Sequence, residues 1–181
     1  TIADGNTELL AQKVIPTSFV TSTLINIEDA NSRQALIEQA NVVISMMPPT
    51  LHYLIALDCI TYKKHLLTAS YIDDKIKALA SSIQENNLLF LCEMGLDPGI
   101  DHMSAMKLID EIKNKGGNIA SFKSHCGGLI APESDDNPWH YKISWNPKNI
   151  ILAGKAGAIY RSNNQVKEID YKNLFNTKNT I

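Results

Sequence analysis

The chain has 181 residues, of which 44% are hydrophobic and 20% are charged, and its formal net charge is -2. These values are typical of a globular protein with one domain or pieces of two. The weak charge does not favour nucleic acid or an anionic membrane surface as a partner. No apolar run approaches the roughly 20 residues that a membrane span needs. We therefore expect neither nucleic acid nor a membrane as a partner.

The three cysteines, Cys59, Cys92 and Cys126, are odd in number and lie far apart. This spacing argues against a disulfide framework and predicts a reducing, cytoplasmic location. No signal peptide is visible, because Thr1 opens directly in sequence that reads as the end of a strand. We expect the chain to be an internal fragment of a longer protein.

Strands and helices are predicted to alternate over the first hundred residues. The predicted strands cover residues 1–4, 22–27, 41–47, 66–70 and 88–92. The predicted helices cover residues 6–14, 28–40, 51–62 and 73–86. Alternation at this spacing favours right-handed crossovers and a parallel sheet. The fold class is therefore α/β, with an incomplete doubly wound parallel sheet of the Rossmann type in which the first strand–glycine loop–helix unit is missing.

One predicted strand, NVVISMM at residues 41–47, is a continuous apolar run. Such a run is typical of a central parallel strand that is covered on both faces. Pro48 and Pro49 end it, and Thr50 is predicted to cap the next helix. Residues 88–92 are likewise predicted to form a buried strand.

The pattern changes near residue 100. A helix is predicted from Asp101 to a pair of glycines at residues 116–117, then a strand at residues 119–124. Two further strands are predicted as a hairpin around residues 162–164. We therefore expect a partial dinucleotide-binding domain at residues 1–99 and part of a mixed α+β substrate domain at residues 100–181.

Several residues at predicted strand ends are candidates for cofactor binding. Asp4 stands where a dinucleotide fold places the acid that binds the adenosine ribose hydroxyls. Such a carboxylate would repel a 2′-phosphate, which favours NAD over NADP, although Asp4 could instead cap the following helix. Ser45, Met46 and Pro48 end another strand and would contact the cofactor, unless they serve only to stop the strand.

Hydroxyl and acidic groups follow the next two strands. Ser70 and Tyr71 could hydrogen-bond the nicotinamide ribose or a substrate carboxylate. Four ionisable residues then lie within ten positions after residues 88–92: Glu93, Asp97, Asp101 and His102. One or two of them could instead cap the helix that begins near Asp101.

The second half offers weaker candidates. His125 and Cys126 do not predict a metal site, because adjacent residues of a strand point to opposite faces and no second ligand lies at a suitable spacing. Gly127 would let the backbone approach a ligand closely. Glu133 and Asn137 lie in a polar loop, which is either a solvated loop or a rim that binds the ammonium groups of an amino-acid substrate.

Two motifs are distinctive: GLDPGIDH at residues 95–102 and CGGLIAPESDDNP at residues 126–138. Through them, the chain resembles glutamate-forming saccharopine dehydrogenases over about residues 41–158. The resemblance implies oxidation of the secondary amine of saccharopine by NAD or NADP, giving glutamate and aminoadipate semialdehyde in lysine metabolism. The cofactor would lie on the Rossmann domain. The sequence does not determine the oligomeric state, and a homodimer is compatible with it.

The resemblance also implies roles for individual residues. Ala69 and Ser70 match positions that touch substrate, and Cys126 and Ser144 match positions that line the site. Leu96, Asp97 and Pro98 match the loop at cofactor and substrate. We expect Asp97 to lie near the reacting amine, directly or through water.

Two alternatives remain open at this point. Enzymes that form carboxynorspermidine or homospermidine share the architecture, and a non-catalytic remnant is also compatible with the sequence. The glycine-rich phosphate loop is absent from the chain, and the family places an arginine that grips substrate carboxylates beyond residue 181. We therefore expect this chain alone to be inactive.

Overall fold

The computed structural model describes residues 1–125, 130–142, 155, 157–174 and 176. The chain divides into two compact units, Thr1–Phe122 and Lys123–Ile181. The domain boundary at residue 99 stays a prediction. Among the described residues, every helix is too short or too polar to cross a bilayer.

The first unit alternates strands and helices, as predicted. Its strands are β1 (Ile2–Asp4), β2 (Ser22–Leu24), β3 (Val42–Ser45), β4 (His65–Thr68) and β5 (Phe90–Leu91). Its helices are α1 (Thr7–Lys13), α2 (Ala30–Glu38), α3 (Pro49–Thr61), α4 (Asp74–Lys77), α5 (Ala80–Glu85) and α6 (Ile100–Asn114). One sheet pairs β1 with β2, the other has the order β3-β4-β5, and every pair in both is parallel. The predicted α/β class is confirmed.

Side-chain caps fix where three of these helices begin. The side chains of Asn6, Asp29 and Asp73 each accept a hydrogen bond from the backbone N–H three residues further on, at 2.9–3.0 Å. Such caps satisfy donors that the first turn leaves unpaired. The prediction that Thr50 caps α3 was wrong, because the helix begins at Pro49. Proline suits the first helical position, where an N–H would have no partner.

The core of the first unit lies around β4. Leu66 is fully buried at the centre of the three-stranded sheet, and it clusters with buried residues of α2 and α3: Ile37, Ile55, Ala56 and Cys59. In the described part of the chain β3 pairs only with β4 and Ile44 is 68% exposed, so the prediction that β3 is a central strand covered on both faces is not confirmed. An apolar run alone does not reveal how many neighbours a strand has. The strand predicted at residues 88–92 is also shorter and less buried than expected, since Leu91 of β5 is exposed.

Polar contacts tie α2 to α3 beside this core. Arg33 Nε lies 2.6 Å from Asp58 Oδ2, and both side chains are buried. Arg33 also donates to the carbonyl of Ile27 at 2.7 Å, and Gln34 Nε2 donates to Asp58 Oδ1 at 3.0 Å. Next to Asp58, burial raises the pKa of the Cys59 thiol to about 12, and the Asp58 charge adds to the effect. Cys59 is therefore a protonated core residue at neutral pH.

Two other predicted elements differ from the structure. The helix predicted at residues 73–86 is divided into α4 and α5, with a tight turn in which the Leu79 N–H donates to the carbonyl of Ile76. Residues 119–124 do not form the predicted strand, and Phe122 is 52% exposed. No strand in the described ranges pairs with this segment, and an unpaired strand is not stable in water.

In the second unit, the predicted hairpin is confirmed. Strands β6 (Ala158–Ser162) and β7 (Gln165–Ile169) pair in antiparallel register. Asn163 and Asn164 form the turn with φ of 50° and 63°. Asparagine tolerates positive φ, which the favoured two-residue hairpin turn requires at both positions.

Replacing Leu66 with alanine should test the importance of the β4 core. We expect Leu66→Ala to lower the free energy of unfolding by about 2–5 kcal/mol, because it removes buried methyl groups and leaves a cavity. The control is Leu57→Ala, since Leu57 lies on α3 but is 38% exposed. Urea unfolding followed by circular dichroism measures both values, and equal losses would contradict this view of the core.

Candidate functional site

The candidate site lies where β3, β4 and β5 end. Their parallel pairing aligns Ser45 with Thr68, and Leu67 with Leu91. The carboxyl ends of three neighbouring strands therefore meet at one edge of the sheet, which is where ligands bind in open α/β sheets. Residues 69–71 and residues 92–99 follow β4 and β5 at this edge.

Backbone hydrogen bonds fasten the segment after β5 to the end of β4. The Glu93 N–H donates to the carbonyl of Ser70 at 3.1 Å, and the Met94 N–H donates to the carbonyl of Thr68 at 3.0 Å. The Glu93 carboxylate accepts the Ile72 N–H at 3.1 Å. Glu93 therefore links the segment after β5 to the segment after β4.

The segment closes on itself through two glycines. The Gly95 N–H donates to the carbonyl of Pro98 at 2.8 Å, and a side chain at Gly95 would crowd Ala69 at 3.3 Å. Gly99 has φ of 146°, and a Cβ there would lie 2.2 Å from the Gly95 carbonyl oxygen. Only glycine fits this position. The predicted contacts Leu96 and Asp97 are exposed on this loop, whereas Pro98 is buried.

Tyr71 and Asp97 form a hydrogen-bonded pair at this edge. The Tyr71 hydroxyl donates to Asp97 Oδ1 at 2.7 Å, and both side chains are exposed. This hydrogen bond, together with burial and the charges of Asp97, Asp101 and Glu93, raises the pKa of Tyr71 to about 12. At neutral pH the phenol therefore keeps its proton and donates a hydrogen bond to Asp97. The structure thus brings together two residues predicted separately.

Asp101 serves the start of α6. Its Oδ1 accepts the Gly99 N–H at 3.1 Å and lies 2.6 Å from His102 Nδ1. Burial alone would raise the pKa of Asp101, but the hydrogen bonds from His102 and Gly99 lower it overall. Asp97, Asp101 and His102 place ligating atoms within 4.8 Å of one another. The contacts of Asp101 are those of a helix start, Asp97 pairs with Tyr71, and we assign no metal to the three residues.

Three of the predicted cofactor contacts line one cleft. The cleft lies between β1 and β3, has a volume of about 1170 Å³, and includes Asp4, Ser45 and Met46 in its walls. Asp4 Oδ1 accepts the Asn6 N–H at 2.8 Å, so this carboxylate also serves the turn into α1. Pro48 is exposed beside the cleft, at the start of α3.

A buried histidine connects two of the predicted residues. His52 Nδ1 lies 2.8 Å from Ser45 Oγ, and His52 Nε2 lies 2.8 Å from Ser70 Oγ. Sequence reasoning missed His52. A signal was present, because residues 52, 55, 56 and 59 recur at helical spacing and share the buried face of α3.

The candidates of the second unit stay predictions. Glu133 is exposed in a short 3-10 helix, Pro132–Ser134. The Asn137 side chain donates to the carbonyl of Tyr141 at 3.1 Å and accepts the Trp139 N–H at 3.1 Å, so it shapes its own loop. Cys126, Gly127 and Ser144 lie outside the described residues.

The alternating parallel fold and the polar groups at its strand ends define a dinucleotide-binding α/β protein. Residues 1–91 match the family model of the saccharopine dehydrogenase NADP binding domain, and residues 95–181 match that of the saccharopine dehydrogenase C-terminal domain. The chain belongs to the saccharopine dehydrogenase family.

Related proteins agree with this assignment. The chain is 43% identical over 160 residues to the alpha-aminoadipic semialdehyde synthase of Arabidopsis thaliana, covering 88% of the chain and 15% of that protein. It is 35% identical over 167 residues to the saccharopine dehydrogenase [NADP(+), L-glutamate-forming] of Saccharomyces cerevisiae, covering 92% of the chain and 37% of that protein. The chain thus spans a minor part of each relative.

A solved structure is also similar. The apo histidine-tagged saccharopine dehydrogenase (L-Glu forming) from Saccharomyces cerevisiae matches with a TM-score of 0.71 and 35% identity, covering 84% of this chain and 34% of that one. The family model names an NADP-binding domain, which indicates a nicotinamide cofactor. The preference for NAD that we inferred from Asp4 is not supported. An acid at the end of β1 is a weak guide when its carboxylate also serves a turn.

The Tyr71–Asp97 pair should be visible in a titration. In Asp97→Asn we expect the pKa of Tyr71 to fall from about 12 towards 10, because the acceptor loses its charge. A pH titration of the assigned Tyr71 ring signals by NMR measures this value. Asp101→Asn is the control, since Asp101 acts on Tyr71 only through its charge and should shift the pKa less. An equal shift in both variants would contradict the hydrogen bond.

His52 should make stability depend on pH. Burial lowers its pKa below the usual 6.5, and the Asp73 charge opposes this only in part. As the pH falls below 6.5, the unfolded chain binds a proton that the folded chain does not, so the free energy of unfolding should fall until the lowered pKa is passed. Above 6.5 this contribution is constant.

An NMR titration of the His52 ring protons gives the pKa, and urea unfolding gives the stability. The variant His52→Gln should lack this part of the pH dependence. A measured His52 pKa of 6.5 or higher would contradict the prediction.

Proposed function

We propose that this chain is part of an NADP-dependent, L-glutamate-forming saccharopine dehydrogenase. The names of the relatives support both products, since the yeast protein is described as L-glutamate-forming and the Arabidopsis protein as an alpha-aminoadipic semialdehyde synthase. The observation that carries the proposal is the Tyr71–Asp97 hydrogen bond at the carboxyl ends of β4 and β5, in a chain of this family.

The reaction oxidises the secondary amine of saccharopine. A C–H bond next to the nitrogen loses hydride and the nitrogen loses a proton, which gives an imine; water then hydrolyses the imine to glutamate and aminoadipate semialdehyde. NADP supplies the hydride acceptor. The protein must hold the amine, accept its proton and orient the carboxylates.

The carboxyl ends of β1 and β3 suit part of a dinucleotide. Asp4 and Ser45 supply a carboxylate and a hydroxyl at these ends, beside apolar side chains of both strands. We assign the adenosine half of the cofactor to these strand ends, with Met46 and Pro48 beside it. NADP is preferred here because the matching family model is that of an NADP binding domain.

Asp97 is assigned to the substrate amine. Its exposed carboxylate accepts the Tyr71 hydroxyl, and this neutral phenol fixes the orientation of the carboxylate. A carboxylate so held can bind the ammonium form of the amine and receive its proton, directly or through water. Ser70, half-buried at the same edge, is assigned to a substrate carboxylate.

A substrate assay tests the proposed function. The complete gene product is mixed with NADP and saccharopine, and the absorbance of the reduced cofactor is followed. Parallel assays with carboxynorspermidine and homospermidine cover the polyamine alternatives. We expect reduction with saccharopine only. A folded protein that binds NADP but does not oxidise saccharopine would overturn the proposal.

Removing the Asp97 charge should lower activity. We expect Asp97→Asn to reduce kcat/KM for saccharopine by on the order of 10²-fold, which is at the low end for loss of an acid–base group. Asp74→Asn is the matched control, because Asp74 is an exposed acid of α4 whose contact is Lys77 at 3.8 Å. Activity of Asp97→Asn equal to that of the control would remove Asp97 from any acid–base role.

A further inference from the structure

His52 is a buried polar residue to which the proposed reaction gives no role. It lies in the first turn of α3 and is 4% exposed, among the apolar residues of the same helix face. Ser45, at the end of β3, is also buried, with 3% exposure. A buried imidazole is costly unless both of its nitrogens are paired. The partners of His52 therefore explain why it is tolerated in this position.

Both ring nitrogens are paired with serine hydroxyls. Nδ1 lies 2.8 Å from Ser45 Oγ, and Nε2 lies 2.8 Å from Ser70 Oγ. A neutral imidazole has one N–H donor and one acceptor nitrogen. One serine must therefore donate to the ring and the other must accept from it. The three side chains form a hydrogen-bond relay with a single direction.

The relay connects the end of β3 to the segment that lies beyond the end of β4. The ladder between β3 and β4 ends at the pair of Ser45 and Thr68. Ser70 lies two residues further on, where its backbone carbonyl already accepts the Glu93 N–H. The imidazole is thus the side-chain link between the β3 end and the segment that carries Ser70 and Tyr71.

The direction of the relay determines what Ser70 can offer a ligand. If Nε2 carries the proton, it donates to Ser70 Oγ, and the Ser70 O–H is left to donate elsewhere. Ser45 then donates to Nδ1. In the opposite tautomer the Ser70 proton is used by the ring, and Ser70 can only accept. A carboxylate ligand needs a donor, so the two tautomers differ in function.

We propose that His52 is a positioning residue that, as the neutral Nε2–H tautomer, presents the Ser70 hydroxyl as a donor to a carboxylate of the substrate. The inference rests on the proposed function, because the substrate carboxylate determines which tautomer is useful. His52 touches neither substrate nor cofactor and acts through Ser70.

Two amide substitutions separate the two ends of the relay. Asn places its amide near the position of Nδ1, and Gln places its amide near that of Nε2. His52→Gln can therefore still donate to Ser70, whereas His52→Asn keeps only the Ser45 side. We expect His52→Asn to raise KM for saccharopine about three- to tenfold with kcat within about twofold, the size of one neutral hydrogen bond. His52→Gln should keep KM within about twofold of the unchanged protein.

The tautomer is measured without any ligand. The ¹⁵N chemical shifts of His52 in the labelled chain should identify a protonated Nε2 and an unprotonated Nδ1. A protonated Nδ1 would overturn the proposal whatever the substrate is. If the unchanged protein does not oxidise saccharopine, the proposed function fails, while the ¹⁵N result still decides the direction of the relay.

Serine variants test the proposal separately, in case a histidine variant does not fold. Ser70→Ala should reproduce the KM of His52→Asn, and Ser45→Ala should have a smaller effect. Equal KM values for His52→Asn and His52→Gln, with unchanged thermal unfolding, would show that His52 is only a structural link. If either histidine variant is unfolded, equal KM values for Ser70→Ala and the unchanged protein would overturn the inference.

Discussion

The register of β4 is the constraint on which the rest of the first unit depends. Leu66 is fully buried, and parallel neighbours pair with β4 on both sides. A shift of one residue would move Leu66 out of the core and turn every side chain of the strand to the opposite face. The same register brings the ends of β3, β4 and β5 to one edge. Core packing and site geometry are therefore consequences of one alignment.

At that edge, the site is built mainly from backbone hydrogen bonds and short side chains. The segment after β5 is fastened to the end of β4 by two N–H donors, and Gly99 leaves no room for a side chain. The hydrogen bond from Tyr71 then fixes Asp97 on the exposed side of this loop. The hydrogen-bonded backbone of this loop therefore carries a few exposed functional groups.

Much of this fold was predictable from sequence, because alternation of apolar patterns and side-chain caps are local signals. Asn6, Asp29 and Asp73 each cap the start of a helix, a role that asparagine and aspartate favour. Burial was less predictable, since an apolar strand such as β3 has the same sequence pattern at the edge of a sheet as at its centre. The position of the site at the carboxyl ends of the strands was predictable. The Tyr71–Asp97 contact and the role of His52 were not, because both join residues distant in sequence.

Cys59 has a practical consequence of its own. Thiol reagents attack the thiolate, and this thiol is both inaccessible and held protonated in the native fold. Its alkylation therefore requires the contact between α3 and β4 to open. The rate at which Cys59 is alkylated, followed by mass spectrometry, therefore reports how often this contact opens.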